Sequence, residues 1–265
     1  MNGLGNDFVI MDSRKENVPM TSDFMKKISD RRIGVGCDQA IVLGHSDNAD
    51  VFMHIYNQDG SRAGACGNAT RCVAKIIMNE LRTEGCAVET DAGVLSCKMV
   101  DDLVRVNMGV PITDWKSIPL SHDMDTNIVN TGLDVGAGYC VSMGNPHIVF
   151  LCEDADNIDL PVLGMQTENH TFFPERTNVE FISPLKNGAI RMRVWERGGM
   201  ITKACGSGAC AVFVASAYYG IGKEINGEVQ VLMDGGALFM SYAPNGGVYM
   251  RGDVAINFKG IYVYD

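Results

Sequence analysis

The tripeptide Ala-Cys-Gly stands at residues 65–67 and again at residues 204–206, which is 139 positions further along the chain. The same shift relates three more pairs of short segments: Gly5-Asn6 with Gly144-Asn145, Gln39 with Asn178, and Tyr56-Asn57 with Trp195-Glu196. Chance could give one such match, but it is a poor explanation for four. Because the recurring residues are polar or cysteine, and not a set of core aliphatics, the pattern predicts two structurally similar halves that each contribute to one site.

The shift changes once, after the second Cys-Gly. Residues 91–93 (Asp-Ala-Gly) align with residues 234–236 (Asp-Gly-Gly), which is a shift of 143. An insertion of four residues near 221–227 accounts for the difference. Two similar halves that face each other form a cleft, and clefts are common places for ligand sites. We therefore expect the active site in the cleft between the halves.

Hydrophobic periodicity predicts a strand-rich chain of class α+β with one long apolar helix after each Cys-Gly. The helix near residues 206–219 is apolar nearly all round, so it must be covered on every side, and a curled sheet would do this. In the first half we expect strands at 8–11, 40–43, 51–56, 87–90, 94–99 and 103–108, and helices at 23–29 and 66–81. In the second half we expect strands at 148–151, 178–182 and 189–195, the helix at 206–219, and further strands after it.

Two domains are expected, at residues 1–112 and 113–253. A polar segment with two prolines, residues 111–130, is predicted to link them. A C-terminal strand at 254–265 is expected to return to the first domain.

Composition excludes several classes of protein. The formal net charge is -10 and no basic stripe is present, which argues against a nucleic-acid partner. No charged leader with an apolar core begins the chain, and its longest apolar stretch, 209–219, is far shorter than the roughly 20 residues that cross a bilayer. We therefore expect no membrane association and a cytoplasmic location. Nine cysteines without a secretory signal are then expected to be reduced thiols.

A cysteine that opens a helix has a chemical advantage. The free N–H groups of the first turn and the positive end of the helix dipole stabilise an anion there, so the thiol pKa is expected to fall. The same N–H groups can hold a substrate carboxylate. If Cys66 and Cys205 face one such carboxylate, the adjacent carbon has a cysteine on each side. This arrangement suits removal of the α-proton from one face and return of a proton on the other.

The ordinary alternative is that these cysteines are only packing residues, since free cysteine is often buried and inert. We favour chemistry for Cys66 and Cys205 because the duplication pairs them. We predict packing roles for the other seven, which are Cys37, Cys72, Cys86, Cys97, Cys140, Cys152 and Cys210. No Cys-x2-Cys pair occurs, so no zinc site is predicted.

At these motifs the chain resembles the diaminopimelate epimerase family. The matching segments run through most of the chain, at residues 3–8, 36–39, 56–61, 66–68 with 71–72, 144–147, 176–181, 195–198 and 204–210. The resemblance implies two pseudo-symmetric domains, each a mixed sheet rolled into a barrel around a central helix. It also implies conversion of LL-2,6-diaminopimelate to the meso form for lysine and peptidoglycan synthesis, without pyridoxal phosphate, metal or other cofactor, by a homodimer.

The resemblance also implies roles for individual residues. Cys66 and Cys205 correspond to the two bases, and His147 and Glu196 to residues that assist proton handling near the thiols. Arg197 suits a distal carboxylate through a forked pair of hydrogen bonds, and Glu196 suits an ammonium group. The full substrate-binding set comprises Asn6, Gln39, Asn57, Gly67, Asn68, Asn145, Asn178, Glu196, Arg197, Gly206 and Ser207.

Four alternatives remain. A proline racemase or hydroxyproline epimerase would share the two-cysteine mechanism, but usually has histidine after the first Cys-Gly and needs no distal carboxylate clamp. An isomerase of the PhzF type is disfavoured, because its first half lacks the cysteine. An inactive ligand-binding relative would fit the unusual loop at residues 199–202 and Ala69 after Asn68. A redox protein would use a disulfide between the paired cysteines.

Overall fold

The computed structural model describes residues 1–264, which divide into two compact units. Unit 1 comprises Met1–Val106 and the residues from Arg251 onward, and unit 2 comprises Asn107–Met250. The expected boundaries, after residues 112 and 253, lie slightly later. Backbone hydrogen bonds tie residues 108–112 to unit 2. The Met108 N–H donates to the carbonyl of Val248, and the Ile112 N–H donates to the carbonyl of Ser142.

Unit 1 follows the order strand, strand, helix, three strands, helix, three strands. The elements are β1 (Asn2–Gly3), β2 (Asn6–Asp12), α1 (Ser22–Ser29), β3 (Gln39–Gly44), β4 (Val51–Asn57), β5 (Arg62–Ala63), α2 (Gly67–Leu81), β6 (Gly85–Thr90), β7 (Gly93–Val100) and β8 (Leu103–Asn107), the last of which ends at the boundary.

The sheet of unit 1 is mixed and curves around α2. Strand β2 pairs in parallel with β3, and β4 pairs in parallel with β6, whereas the other neighbouring pairs are antiparallel. Helix α2 contacts β1 and β7, which lie near opposite ends of the pairing order, and also β2, β4 and β6. A sheet whose two ends reach the same helix must bend around it.

Helix α1 covers the other face of this sheet. Thr21 caps its N-terminus by accepting the N–H of Phe24, as serine and threonine commonly do at this position. Met25 and Ile28 of the helix are buried in one cluster with Ala40, Val42 and Tyr56. Alternate residues of β3 therefore pack against α1, which leaves the intervening residues for the face that holds α2.

Unit 2 repeats this order with additional short strands. Its elements are β9 (Val129–Asn130), β10 (Ala137–Ser142), β11 (Pro146–Leu151), a 3-10 helix (Ala155–Asn157), α3 (Leu160–Glu168), β12 (Asn178–Pro184), β13 (Ile190–Glu196), β14 (Met200–Ile201), α4 (Gly206–Tyr219), β15 (Glu224–Ile225), β16 (Glu228–Met233) and β17 (Gly236–Tyr242), followed at the second boundary by β18 (Val248–Gly252).

Helix α4 is buried on nearly every side, as its composition predicts. Every residue from Gly208 to Ser216 is buried. The helix contacts β10, β11, β12, β13, β16 and β17, so the sheet of unit 2 also curves around its central helix. The predicted fold class, α+β with a mixed sheet around a helix in each half, is confirmed.

Strand register confirms the internal duplication. Phe8 lies opposite Gln39 in the parallel pair β2–β3, and His147 lies opposite Asn178 in the pair β11–β12, which is the same register shifted by 139. In the next parallel pair of each unit, residue 51 faces residue 88 whereas residue 190 faces residue 231. The separation grows by four residues in unit 2. The predicted four-residue insertion is therefore present, and β15 lies within the stretch where it was expected.

Two expectations about the chain need correction, and one helix was missed. Residues 111–130 are not a polar linker, because Ile118, Leu120 and Val129 are buried in the core cluster of unit 2. The expected strand over 254–265 is absent from its described residues, 254–264, where Ala255 forms only an isolated bridge with Asn2. Helix α3 was not predicted, although the shift of 139 relates it to α1.

Among residues 1–264, no helix has both the length and the apolar character needed to cross a membrane.

Close packing inside unit 2 depends on the small size of Gly138 in β10. A Cβ atom at this position would lie 2.5 Å from Cγ1 of Ile148 and 2.9 Å from a ring carbon of Phe150, both on β11. We expect Gly138→Ala to lower the free energy of unfolding by about 1–3 kcal/mol, the usual cost of overpacking a core. Urea denaturation followed by circular dichroism measures the change.

Gly85→Ala is the matched control, because Gly85 also lies in a strand but a Cβ atom there would meet its nearest neighbour at an ordinary 3.5 Å. Equal stability of the two variants would show that unit 2 is packed less tightly than the distances indicate.

Candidate active site

Cys66 is the N-cap of α2. Its backbone is extended, with φ -154° and ψ 107°, and its Sγ atom accepts the N–H of Ala69 at 3.5 Å. Its carbonyl accepts the N–H and the hydroxyl of Thr70, each at 2.9 Å. The sulfur atom and the carbonyl oxygen of Cys66 thus both accept hydrogen bonds from the first turn of α2. The thiol lies at the positive end of the helix.

Cys205 has the same position on α4. Its Sγ atom accepts the N–H of Gly208 at 3.4 Å, and its carbonyl accepts the N–H of Ala209 at 3.0 Å. The hydroxyl of Ser207 lies 3.6 Å from the sulfur atom. A Cβ atom at residue 208 would lie 2.8 Å from Oε1 of Glu180, so glycine allows this carboxylate to approach the first turn of α4 closely.

A chain of polar side chains leads to the start of α2 in unit 1. The Asn6 amide donates to Oδ2 of Asp38 at 2.9 Å, and its carbonyl Oδ1 accepts from the Asn68 amide at 3.1 Å. Asp38 in turn forms an ion pair with Arg31. The Asn6 side chain is therefore oriented by a carboxylate, and it presents its oxygen atom to the first turn of α2.

A second polar chain leads to the start of α4 in unit 2. His147 lies between Glu180 and Asn145, with Nδ1 2.7 Å from Oε1 of Glu180 and Nε2 3.0 Å from Oδ1 of Asn145. The Asn145 amide donates to the hydroxyl of Ser207 at 3.3 Å. Asn145 therefore presents its N–H to α4, whereas Asn6 presents its oxygen atom to α2.

The next pair of predicted residues differs between the units. In unit 1, the Gln39 amide donates to Oδ1 of Asn57 at 3.0 Å, and the Asn57 amide donates to Ser61 at 3.1 Å. In unit 2, Asn178 is buried, and its amide donates to the carbonyl of Pro146 at 2.8 Å while its Oδ1 accepts the Arg197 N–H at 2.9 Å. Asn178 thus binds backbone groups at both ends of its side chain.

The loop after β13 is held by polar contacts. Thr202 donates its hydroxyl to Oε1 of Glu196. Glu168, which is buried at the end of α3, accepts the indole N–H of Trp195 at 2.7 Å and the backbone N–H of Gly198 at 2.6 Å. Arg197 is exposed between these anchored residues. Its backbone is fixed while its side chain faces solvent.

The protonation of Cys205 corrects one expectation. Burial raises the pKa of the Cys205 thiol well above its ordinary value, and the negative charges of Glu196 and Glu180 raise it further. The hydrogen bonds from Gly208 and Ser207 act in the opposite direction, and they do not offset the rise. The predicted fall of the pKa at this helix start is wrong for Cys205, because desolvation and two carboxylates outweigh the helix dipole.

The structure also places residues that were not singled out from the sequence. Asp38 and Glu180 orient Asn6 and His147, and Glu168 anchors the loop after β13. Asp38 and Glu180 lie inside the quoted segments 36–39 and 176–181, so a polar residue within a motif was the available signal. Glu168 had no such signal.

All nine cysteines lie within the described part of the chain, and none of them forms a disulfide there. Cys72 and Cys210 are fully buried on α2 and α4, as expected for core residues. In residues 1–264, no three or more His, Cys, Asp or Glu side chains cluster closely enough to hold a metal ion.

Comparison with known sequences identifies a family. A family model described as diaminopimelate epimerase matches residues 1–113 and 139–256. The diaminopimelate epimerase of Rhodospirillum centenum is 45% identical over 98% of this chain and 90% of the relative. Those of Zymomonas mobilis and of a Wolbachia strain from Drosophila simulans are 40% and 42% identical over 98% and 96% of this chain, and 94% and 95% of the relatives.

Comparison with solved structures supports the fold alone. A PhzF-family phenazine biosynthesis protein from Enterococcus faecalis aligns with a TM-score of 0.68 at 11% identity, over 97% of this chain and 92% of that protein. A hydroxyproline epimerase from Agrobacterium vitis, crystallised with trans-4-hydroxy-L-proline, aligns with a TM-score of 0.63 at 15% identity, over 95% and 86%.

The charge of Glu196 generates a prediction about Cys205. Since this carboxylate raises the pKa of the thiol, Glu196→Gln should lower that pKa, and the thiolate should form at a lower pH than in the parent protein. The rate of Cys205 alkylation by iodoacetamide, followed across pH by peptide mass spectrometry, reports the thiolate. Glu153→Gln, which removes an exposed charge of unit 2, is the control. An unchanged or higher midpoint in Glu196→Gln would contradict the assignment.

Proposed function

Since this chain belongs to the diaminopimelate epimerase family, we propose that it converts LL-2,6-diaminopimelate to the meso isomer with Cys66 and Cys205 as acid and base. Family membership makes the chain an isomerase that acts on a small amino acid. The product is a precursor of lysine and peptidoglycan. One observation carries the assignment of the cysteines: each is the N-cap of the central helix of its unit, with the sulfur atom on a first-turn N–H.

The proposed reaction inverts one α-carbon by two proton transfers. The Cys66 thiolate removes the α-proton, and the electron pair of the broken C–H bond moves into the adjacent carboxylate. The Cys205 thiol then donates its proton to the opposite face of the same carbon. We assign Cys205 as the resting acid because burial and its neighbouring carboxylates keep it protonated. After one turnover the two roles are exchanged.

The helix starts stabilise the charge that develops. The N–H groups of the first turns, among them those of Gly67, Asn68, Gly206 and Ser207, are proposed to donate to the substrate carboxylate. As negative charge moves onto that carboxylate in the transition state, fixed N–H dipoles stabilise it without having to reorient. Asn6 and Asn145 are held beside these turns by Asp38 and His147 respectively.

Selection of the substrate requires recognition of its second amino-acid end. Arg197 is proposed to bind the distal carboxylate, Glu196 to bind an ammonium group, and Gln39, Asn57 and Asn178 to complete the binding set. His147 and Glu196 are also proposed to assist proton handling near the thiols. Within this binding set, Asn178 anchors the backbone of Arg197, because its Oδ1 accepts the hydrogen bond from the Arg197 N–H.

Proline and hydroxyproline remain the competing substrates. The hydroxyproline epimerase of Agrobacterium vitis shares the fold at 15% identity, whereas curated diaminopimelate epimerases are 40–45% identical over nearly the whole chain. The sequence relatives therefore favour diaminopimelate. We further propose that the protein acts in the cytoplasm as a homodimer, without cofactor, membrane or nucleic-acid partner.

Loss of either thiol should abolish epimerisation. Cys66→Ala and Cys205→Ala each remove one general acid–base group, which is worth about 10²–10⁴-fold in rate. The reduced protein is incubated with LL-diaminopimelate in D2O, and both deuterium at the α-carbon and the meso isomer are followed. Deuterium in the meso product supports the proposal.

Cys152→Ala is the control, because this half-buried cysteine donates to the carbonyl of Ile182 and should serve only packing. Near-normal turnover by either Ala variant at 66 or 205 would eliminate the two-cysteine mechanism. Exchange with proline or hydroxyproline, but not with diaminopimelate, would transfer the assignment to that family. No exchange with any of the three would identify an inactive ligand-binding relative.

The proposed clamp predicts the behaviour of Arg197 variants. Arg197→Ala removes a charged hydrogen-bond donor, a contact worth about 1.5–3 kcal/mol, so KM should rise by roughly 10–100-fold. Because this end of the substrate does not react, kcat should change much less. Arg197→Lys keeps the charge but cannot form the forked pair of hydrogen bonds. Its KM should therefore lie between the KM of the parent protein and that of Arg197→Ala. An unchanged KM in Arg197→Ala would remove this residue from the clamp.

A further inference from the structure

A buried acid–base pair lies behind the start of α4. Glu180 of β12 and His147 of β11 are both fully buried, and Oε1 of Glu180 lies 2.7 Å from Nδ1 of His147. The second carboxylate oxygen, Oε2, is also buried and has no hydrogen-bond partner among residues 1–264. Burying a carboxylate this way is costly unless a partner neutralises it, and His147 is the group in position to do so.

The pair is connected to the proposed catalytic thiol. From Nε2 of His147 the contacts run to Oδ1 of Asn145 at 3.0 Å, then from the Asn145 amide to Ser207 at 3.3 Å, and from Ser207 to Sγ of Cys205 at 3.6 Å. Glu180 also lies directly beneath the first turn of α4, since its Oε1 would be 2.8 Å from a Cβ atom at Gly208. The polar chain thus begins at Glu180 and ends at Cys205.

The direction of these hydrogen bonds determines where the protons lie. Because the Asn145 amide donates to Ser207, its carbonyl oxygen faces His147, and Nε2 must carry the hydrogen between them. One further proton lies between Nδ1 of His147 and Glu180, whichever of the two atoms holds it. With its Nδ1 engaged by this shared proton, the His147 ring is held with the Nε2 hydrogen directed towards Asn145.

Unit 1 shows that the fold does not require this pair. The shift of 139 places Phe8 and Ile41 at the positions of His147 and Glu180, and the two parallel strand pairs have the same register. Apolar residues are sufficient for that packing. Asn6, the counterpart of Asn145, is oriented instead by Asp38 and presents the opposite end of its amide. The buried pair accordingly belongs to the chemistry of unit 2.

We propose that Glu180 is a positioning residue for the epimerisation, which orients the His147 ring and through it holds Asn145 and Ser207 beside Cys205. This inference rests on the proposed function of Cys205. Glu180 does not touch the substrate. It fixes the His147 ring with Nε2 towards the Asn145 carbonyl oxygen, so that the Asn145 N–H points to the first turn of α4 in every catalytic cycle.

The titratable groups around this chain lie on several elements. Glu180 faces His147 on β11 and Cys140 on β10, and burial raises the pKa of the Cys140 thiol. Cys205 at the start of α4 is also influenced by Glu196 at the end of β13. A change at Glu180 should therefore alter the pH dependence of turnover, which a purely structural role would leave unchanged.

The first test is Glu180→Gln, which keeps the shape and removes the charge. We expect kcat for LL-diaminopimelate to fall by up to about 10²-fold, the cost of misplacing a reacting group by about 1 Å, with little change in KM and a shifted pH profile of kcat. Glu153→Gln is the charge-matched control and should behave as the parent protein. Unchanged kcat and an unchanged pH profile in folded Glu180→Gln would overturn the proposal.

A double variant tests whether Glu180 acts through His147. In a His147→Gln background, Glu180→Gln should have no further effect on the pH-independent maximum of kcat, because the connection is already broken. If the two losses multiply, Glu180 acts by another route and the proposal fails.

A measurement without substrate separates this inference from the proposed function. Side-chain ¹⁵N NMR of His147 in the parent protein should show a protonated Nε2 at neutral pH. Absence of epimerase activity would end the proposed function without affecting this result. An unprotonated Nε2 would overturn the positioning role even in a fully active enzyme.

Discussion

Burial of one central helix constrains each half of this protein. Helix α4 has no polar face, so the strands of unit 2 must contact it from all sides, whereas α2 is buried in unit 1 over residues 67–74 and exposed at residues 79–81. In any helix the N–H groups of the first turn have no carbonyl partner within the helix, because each later N–H donates to the carbonyl four residues earlier. The start of each central helix is therefore where an anion is stabilised, and a cysteine stands there in both units.

The two units share a backbone plan and differ in their polar groups. Asn6 and Asn145 have equivalent positions, yet a carboxylate orients the first and a histidine orients the second. Their amides consequently present an oxygen atom to α2 and an N–H to α4. In the proposed reaction one helix start holds a thiolate while the other holds a thiol, and these side chains distinguish the two starts. The duplicated architecture supplies the position of each sulfur atom, and the unshared side chains supply the difference.

Much of the fold could be predicted from local patterns. The all-round apolar character of residues 206–219 predicted a covered helix, and the two shifts of 139 and 143 predicted two similar halves and the four-residue insertion, which agree with the strand register. Applied fully, the same shift would also have predicted α3. The segment 111–130 was misjudged because its overall polarity concealed Ile118 and Leu120, whose burial depends on distant strands.

For the candidate site, the sequence alone determined the two cysteines, their places at helix starts and the polar residues that recur with them. These are local properties, since capping and periodicity depend on neighbours within a few residues. Only the tertiary structure decided that the pKa of the Cys205 thiol is raised and that Glu180 pairs with His147. Both depend on desolvation and on charges brought from separate strands, and these long-range effects outweigh the helix dipole that the local sequence predicts.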